Sequence, residues 1–405
     1  MNARKIAIVA LTLILIVAVF TGAVGALNGN AAPVVRPQLA NVRDYTAVAA
    51  ATESYAVDGG VLFKGQPGAW TQIITPKEVI VSAVAIDSTD PNTVYIGAAN
   101  EMAIFRTLDN GRSWLRVPLT DEYVGGVTDI AVDGAQSIVY VGTDTAGLFR
   151  LRDVGSSIVL SGHLVLEEPV IEVAADSTGK GMAFARTAWT LYRAENFGLA
   201  WSAVSNLQSA PTAVAIANTE PAQIYVGTTD RGLLVSNDGI EWTTANQGLN
   251  FVPGSRLMVN DLAIDPAQPE VMYVATSYLY GTSEIHTSPA GVAVSTDGAQ
   301  AWSPIHEATN LNVAELLPVS GLTGGVYALT TDSRTPAALG NAPIITEVAV
   351  AAEPAAEPVS MTSVLAWVIA GLAALALIFA VAMDLRSRRR VEAEGTLSPS
   401  AVRIR

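Results

Sequence analysis

One short pattern, an apolar residue followed by Tyr, an apolar residue and Gly, recurs along the chain. Recurrence at a steady period constrains a fold more than any single residue does. Copies stand at Val94-Tyr95-Ile96-Gly97, Val139-Tyr140-Val141-Gly142 and Ile224-Tyr225-Val226-Gly227. Met272-Tyr273-Val274-Ala275 and the weaker Ala183-Phe184-Ala185 hold the same place. The aromatics Tyr95, Tyr140, Phe184, Tyr225 and Tyr273 are 45, 44, 41 and 48 residues apart. An alternating apolar segment precedes each copy, as in Thr128-Asp-Ile-Ala-Val-Asp133 and Asp261-Leu-Ala-Ile-Asp265. A third apolar segment follows, such as Gly147-Leu-Phe-Arg150, and a fourth often begins at Trp114, Trp201, Trp242 or Trp302. Four short strands in about 40–50 residues is the period of a propeller blade. Bursts of β-branched and aromatic residues between Gly, Asp, Asn and Pro agree with an all-β domain.

The ends of the repeat leave the blade count at six or seven. Ser54-Tyr55-Ala56-Val57 and Gly60-Val-Leu-Phe63 read as strands two and three of a first blade. Ala314-Glu-Leu-Leu317 and Gly325-Val-Tyr-Ala-Leu329 read as strands one and two of a last one. Joined, these halves give six blades. A separate strand at Tyr45–Ala49 gives seven, the preferred count. The expected fold is therefore an all-β propeller over 45–332.

The connection between strands three and four carries the most specific motif. Thr107-Leu-Asp109-Asn-Gly111-Arg-Ser113-Trp114 matches S/T-x-D-x-G-x-S/T-W at every defined place. Ser236-Asn-Asp238-Gly239-Ile-Glu-Trp242 is one residue shorter. Ser295-Thr-Asp297-Gly298-Ala299-Gln-Ala-Trp302 has Ala299 at the second-glycine place, and Asn196-Phe-Gly198-Leu-Ala-Trp201 has Asn for Asp. An Asp here is expected to accept hydrogen bonds from its own turn, Gly to take a positive φ, and Trp to cover the hairpin between blades. The expected role is structural, neither catalytic nor metal-binding. The motif resembles the Asp-box (BNR) repeat of sialidases, sortilin and related propellers. In repeat style, including Asn246-Gln-Gly-Leu249 after a box, the chain most resembles the photosystem II assembly/stability factor family. That resemblance implies a non-enzymatic propeller that binds protein and helps assemble a membrane complex. Members of that family commonly show a basic patch, whereas basic residues here are few and spread out. The wider resemblance also implies an alternative, a glycosidase- or sialidase-like or glycan-binding protein. The Arg-Ile-Pro segment that usually opens the sialidase fold is absent.

The chain ends point to a membrane. Arg4 and Lys5 precede an uncharged apolar run and small residues at Val24 and Ala26, the pattern of a signal peptide over 1–26 or of an uncleaved anchor. Residues 27–44 read as a linker. Residues 363–383 are uncharged and long enough for one transmembrane α-helix. Arg386, Arg388, Arg389 and Arg390 follow, which places the 384–405 tail in the cytoplasm and the body outside it. Residues 333–362, with Glu353-Pro354 and Glu357-Pro358, read as an Ala/Pro/Glu stalk.

Composition narrows the chemistry. There is no cysteine, which excludes thiol nucleophiles and thiolate metal sites. Between 27 and 362 there are 34 acidic and 15 basic residues, a poor match to a phosphate backbone, so nucleic acid is not expected as a partner. His163, His286 and His306 lack ligand spacing, and no cofactor motif is present. Two long connections, 246–258 and 276–291, fall on one face of a propeller. They place Phe251, Arg256, Tyr278, Tyr280 and His286 as candidates for contact with a membrane protein complex.

Overall fold

The computed structural model describes residues 12, 38–49, 53–66, 69–249, 251–305, 310–344, 368–379, 381–383 and 385–386. By internal contacts the chain forms two units, 36–347 and 1–35 together with 348–405. The first is a seven-bladed propeller. Blades 1 to 7 cover 42–72, 81–118, 127–164, 172–203, 211–244, 256–305 and 313–340. Each is an antiparallel meander of four strands, except blade 7, which has three among the described residues. The strand at Val42–Thr46 opens blade 1 and decides the count at seven.

The strands run past both ends of the expected 45–332. Ala337–Gly340, assigned from sequence to the stalk, pairs with the strand Gly325–Thr330. Small residues without an aromatic marker hid this strand, yet Leu339 is buried against Val326 and Ala328. In the second unit, residues 368–379 and 381–383 are helical. Among the described residues no helix is long and apolar enough to cross a membrane. The remainder of 363–383, the leader at 1–26 apart from Thr12, most of the linker and stalk, the last part of the tail and His306 lie outside the described residues.

The periodic aromatics explain how blades adhere. Tyr55, Tyr95, Tyr140, Phe184, Tyr225, Tyr273 and Tyr327 are almost wholly buried in second strands. Each ring supplies apolar area, and in Tyr55, Tyr95, Tyr225 and Tyr273 the hydroxyl bonds into the next blade. Tyr55 Oη donates to Asn110, Tyr225 Oη to the Gly298 carbonyl and Tyr273 Oη to the Leu322 carbonyl. Where a hydroxyl is absent, Phe184 packs on Trp242 instead.

The turns at Asp109, Asp238 and Asp297 are self-contained. Asp109 Oδ1 accepts from the Arg112 and Ser113 amides at 3.0 and 2.9 Å, and Oδ2 accepts from Ser113 Oγ. Thr107 Oγ1 accepts from the Gly111 amide. Gly111 has φ +85°, and a Cβ there would meet Ile73 and Trp114. Asp238 and Asp297 repeat the pattern with Ser236 and Ser295. The Asn196 turn instead uses a backbone bond from Gly198 to the Glu195 carbonyl. Each box tryptophan reaches the preceding blade: Trp114 Nε1 donates to the Ile74 carbonyl and Trp302 Nε1 to that of Ala245. Trp201 meets Tyr140 edge-on. Blade 3 has no box. Its Asp153, with a side chain 9% exposed, accepts from Tyr95 Oη and Arg106 of blade 2.

Candidate functional site

The inner strands converge on a cavity of about 430 Å³ on the propeller axis. Its walls come from residues near the start of the first strand in every blade. In an up-and-down meander, first-strand starts share an end with the 4→1 and 2→3 connections. The cavity therefore sits at that face, here called the mouth face. The hairpins at Asp109, Asp238 and Asp297 join strands three and four and lie at the other end.

A seven-fold motif builds this wall. Val42-Arg-Asp-Tyr45, Val81-Ser-Ala-Val84, Val127-Thr-Asp-Ile130, Val170-Ile-Glu-Val173, Pro211-Thr-Ala-Val214, Val259-Asn-Asp-Leu262 and Val313-Ala-Glu-Leu316 occupy equivalent places. The first residue is buried in each. In six blades the strand pairing shifts at this motif, so the second residue bulges out of register. A bulge re-aims the side chain that follows it. In five blades the third residue of the motif is a carboxylate, Asp44, Asp129, Glu172, Asp261 or Glu315, and all but Glu172 follow a bulge.

These carboxylates tie the ring together. Asp44 accepts from the Val84 amide, Asp129 from Val173, Glu172 from Val214 and Asp261 from Leu316. Each donor is the fourth residue of the next motif that carries one of these bonds, always across a blade boundary. Asp44 and Asp129 also accept from the amide that follows them. Glu172 further accepts from Arg186 Nε at 2.6 Å. Glu315 lies at the seam where the ring closes. It accepts from Arg334 Nη2, while Arg334 Nε donates to the Val42 carbonyl at 2.6 Å and the Arg334 carbonyl accepts from the Val42 amide. Among the described residues blade 7 receives no strand from the N-terminal side, and Arg334 and the buried cluster of Leu39, Val42, Phe63, Trp70, Leu317 and Tyr327 join the two ends.

Enclosure disfavours the charged form of these acids. Burial pushes Asp44 up to about 6, Asp261 to about 7 and Glu315 to about 8, and raises Asp129 well above the usual carboxylate range. Repulsion from neighbouring carboxylates adds to the effect at Asp129, Asp261 and Glu315. Among the described residues no group of acids and histidines is arranged to hold a metal ion.

The residues expected to contact a partner lie around the mouth. Phe251 is 67% exposed in the connection from blade 5 to blade 6. The segment 276–291 is not a loop. Strands Gln268–Tyr280 and His286–Ser295 continue as a hairpin beyond the blade, with the inner strand Arg256–Asp265 as a third member. The alternation in Thr276-Ser-Tyr-Leu-Tyr280 was a strand signal masked by Gly281 and its polar neighbours. Tyr280 and His286 are paired across the hairpin with ring centroids 5.6 Å apart. Tyr278 is half-buried on the same face, and Arg256 approaches Asp230 at 3.7 Å. The hairpin base is braced on blade 5, where the Gly232 amide donates to the Leu257 carbonyl. Trp189, in the 2→3 turn of blade 4, was not singled out from sequence and is 72% exposed. A tryptophan outside any box, in a turn held by Thr187, was the available signal.

No family model and no curated protein matches the chain. Solved structures do. A GH74 xyloglucanase from Xanthomonas campestris superposes with a TM-score of 0.54 at 18% identity, over 74% of this chain and 52% of that one. The GH74 enzyme of Niastella koreensis gives 0.55 at 15% identity, over 76% and 53%. YCF48 bound to a D1 peptide gives 0.53 at 16% identity, over 76% of this chain and 94% of that one. This chain thus spans about half the length of the GH74 chains and nearly all of YCF48. At these identities the likeness establishes the propeller fold.

Proposed function

We propose that the chain is a membrane-tethered, extracytoplasmic propeller that binds protein at its mouth face and serves as a scaffold or assembly factor. The carrying observation is an arc of exposed apolar side chains over blades 4 to 6. It includes Trp189, Phe251, Val252 and Ile285 on 2→3 or 4→1 connections, with Tyr280 at the end of the extended hairpin. Apolar groups exposed side by side over neighbouring blades mark a contact surface. The nearly full coverage of YCF48, a propeller seen with a bound peptide, supports the same reading. The tether is the apolar segment 363–383, with the arginine-rich tail inside.

The test is co-purification from native membranes. Replacing Phe251, Tyr280 and Ile285 together by Ser is expected to remove specific partners, while Leu108→Ser on the opposite face retains them. Equal recovery with both variants would refute the proposal. Extraction with alkaline carbonate tests the tether, and release into the supernatant would count against it.

A second reading has one observation in its favour. Asp261 and Glu315 are acids raised toward neutrality beside Glu172, which is held by Arg186, and glycoside hydrolysis needs carboxyls in contrasting environments. Against it, Asp44, Asp129 and Asp261 are held by backbone amides. Hydrolysis of a xyloglucan oligosaccharide, abolished by Glu315→Gln, would install this reading.

A further inference from the structure

The mouth face combines the apolar arc with an acidic interior. We propose that the protein segment bound there is apolar and carries a lysine or arginine side chain that enters the axial cavity among Glu172, Asp261 and Glu315. This inference rests on the protein-binding reading and adds the chemistry of the partner.

Three observations carry it. First, the cavity opens within the face that bears the arc, and about 430 Å³ accommodates one long side chain. Second, acceptor capacity is left over. A carboxylate offers about four lone-pair sites. Glu315 accepts from Arg334 through Oε2, and Glu172 from Arg186 and the Val214 amide through Oε2. Their Oε1 atoms accept no bond among the described residues. Five carboxylates line the cavity, while its cations Arg43 and Arg186, with Arg334 beside them, number fewer. Third, the rim has the same sign. Asp121, Glu122, Glu167, Glu168 and Glu284 are exposed on mouth-face connections without an ion pair among the described residues. Of the nearby cations, Lys77 and Arg256 face Glu78 and Asp230, and Arg231 donates to the Leu207 carbonyl. A potential of one sign around a concave site attracts its opposite and rejects an acidic competitor. An anionic lipid surface is disfavoured on the same ground.

The experiment uses the full-length chain and twelve-residue apolar peptides that differ only at one central position: Lys, Arg, Met or Glu. Fluorescence polarisation in 50 mM salt is expected to show Lys and Arg peptides binding at least tenfold more tightly than Met, with Glu weakest. The preference is expected to shrink at 500 mM salt. Glu315→Gln with Glu172→Gln should cut the Lys-over-Met ratio at least threefold. Glu167→Gln with Glu168→Gln, on an exposed loop, should lower it by a smaller factor without altering the melting temperature. Equal binding of Lys and Met peptides would overturn the inference and leave protein binding standing. Absence of binding by every peptide would overturn it too, while the membrane co-purification decides protein binding separately. Co-sedimentation with phosphatidylglycerol vesicles, or self-association that shields Trp189, would assign the face to lipid or to a second copy and overturn it.

Discussion

Replacing Arg334 by Ala should open the ring at one place. The side chain joins Glu315 Oε2, the Val42 carbonyl at 2.6 Å and the Arg43 carbonyl at 3.4 Å. Truncation removes every side-chain bond but keeps the backbone bond from the Val42 amide to the Arg334 carbonyl. A hydrogen bond to a charged group contributes about 1.5–3 kcal/mol. The Arg334 side chain is 34% exposed and that of Glu315 26%, so water replaces part of the loss. The net expectation is about 3 kcal/mol. Unfolding entropy near 2.1 cal/mol/K per residue over about 300 residues gives about 0.6 kcal/mol/K, hence a melting temperature lower by about 5 °C. Location is the sharper readout. Trp70 is buried at the seam, edge-on to Tyr45 and clustered with Leu317 and Tyr327. Hydrogen exchange in the variant should rise first in Val42–Thr46 and Gly325–Thr330, with Glu172–Ala175 across the ring unchanged. A melting temperature within 1 °C of the parent, or exchange that rises evenly around the ring, would refute the clasp.

Other outcomes follow from the same packing. Asp153→Ala leaves the Arg106 guanidinium buried without its partner and should cost about 3–5 kcal/mol in urea unfolding. Arg106→Met with Asp153→Leu should recover much of that, and no recovery would count against a pair-based account. Asp109→Ala should lower the melting temperature and leave peptide binding per folded molecule unchanged, because the carboxylate serves its own turn. Its bonds to Ser113 and Thr107 hold Asp109 down to about 2, so its contribution is present above the ordinary value near 4 and fades as pH falls through 2. The channel acids act in the opposite sense. Asp44, Asp261 and Glu315 are raised, so the folded state holds their protons more firmly than the unfolded chain does. Their effect destabilises the fold progressively as pH rises from 4 through 8. The facing groups are Arg43 and Arg334 at Asp44, Glu172 and Arg186 at Asp261, and Asp261, Asp44 and Arg334 at Glu315. The urea midpoint should be higher at pH 5.5 than at pH 8.5, and Asp261→Asn should reduce the difference. An unchanged difference would exclude Asp261 as a contributor.

The architecture was legible because its signals are local. Tyr95, Tyr140 and Tyr225 recur with the blade, and Thr107-Leu-Asp109-Asn-Gly111 states its turn chemistry in consecutive residues. The strand at Val42–Thr46 was harder, since Arg43 and Asp44 interrupt its apolar run. Those two residues belong to the channel motif, which sequence reading passed over. Asp129 and Asp261 stood inside segments recognised as strands, but an acid in a strand reads as solvent-facing. Only the bulge shows that it turns to the axis, and only the closed ring shows that the amide it binds belongs to another blade. Such bonds join residues 40 to 55 positions apart, beyond any local pattern. Trp189 was missed for a related reason. Its exposure depends on a tight turn set by Thr187, whereas the other recurrent tryptophans sit in boxes and pack between blades.

The inner motif also links stability to the cavity's character. When ionised, carboxylates make a stronger bond to a backbone amide than a hydroxyl or a carboxamide oxygen does. Gathering five of them at one axis concentrates charge where water is scarce, and their raised affinity for protons is the cost. Arg186 and Arg334 offset part of it, each committed to one carboxylate. A cation delivered from outside would offset more. It would lower the proton affinity of Asp261 and Glu315, so binding should release protons and strengthen from pH 6 to pH 8.5. A seated cation should also stabilise the inner ring that holds the blades together. The expected signature is a melting temperature that rises on adding the lysine peptide and not the methionine one, with a rise that is larger at pH 8.5 than at pH 6. An equal rise at both pH values would detach the peptide from the channel acids and return them to a purely ring-closing role.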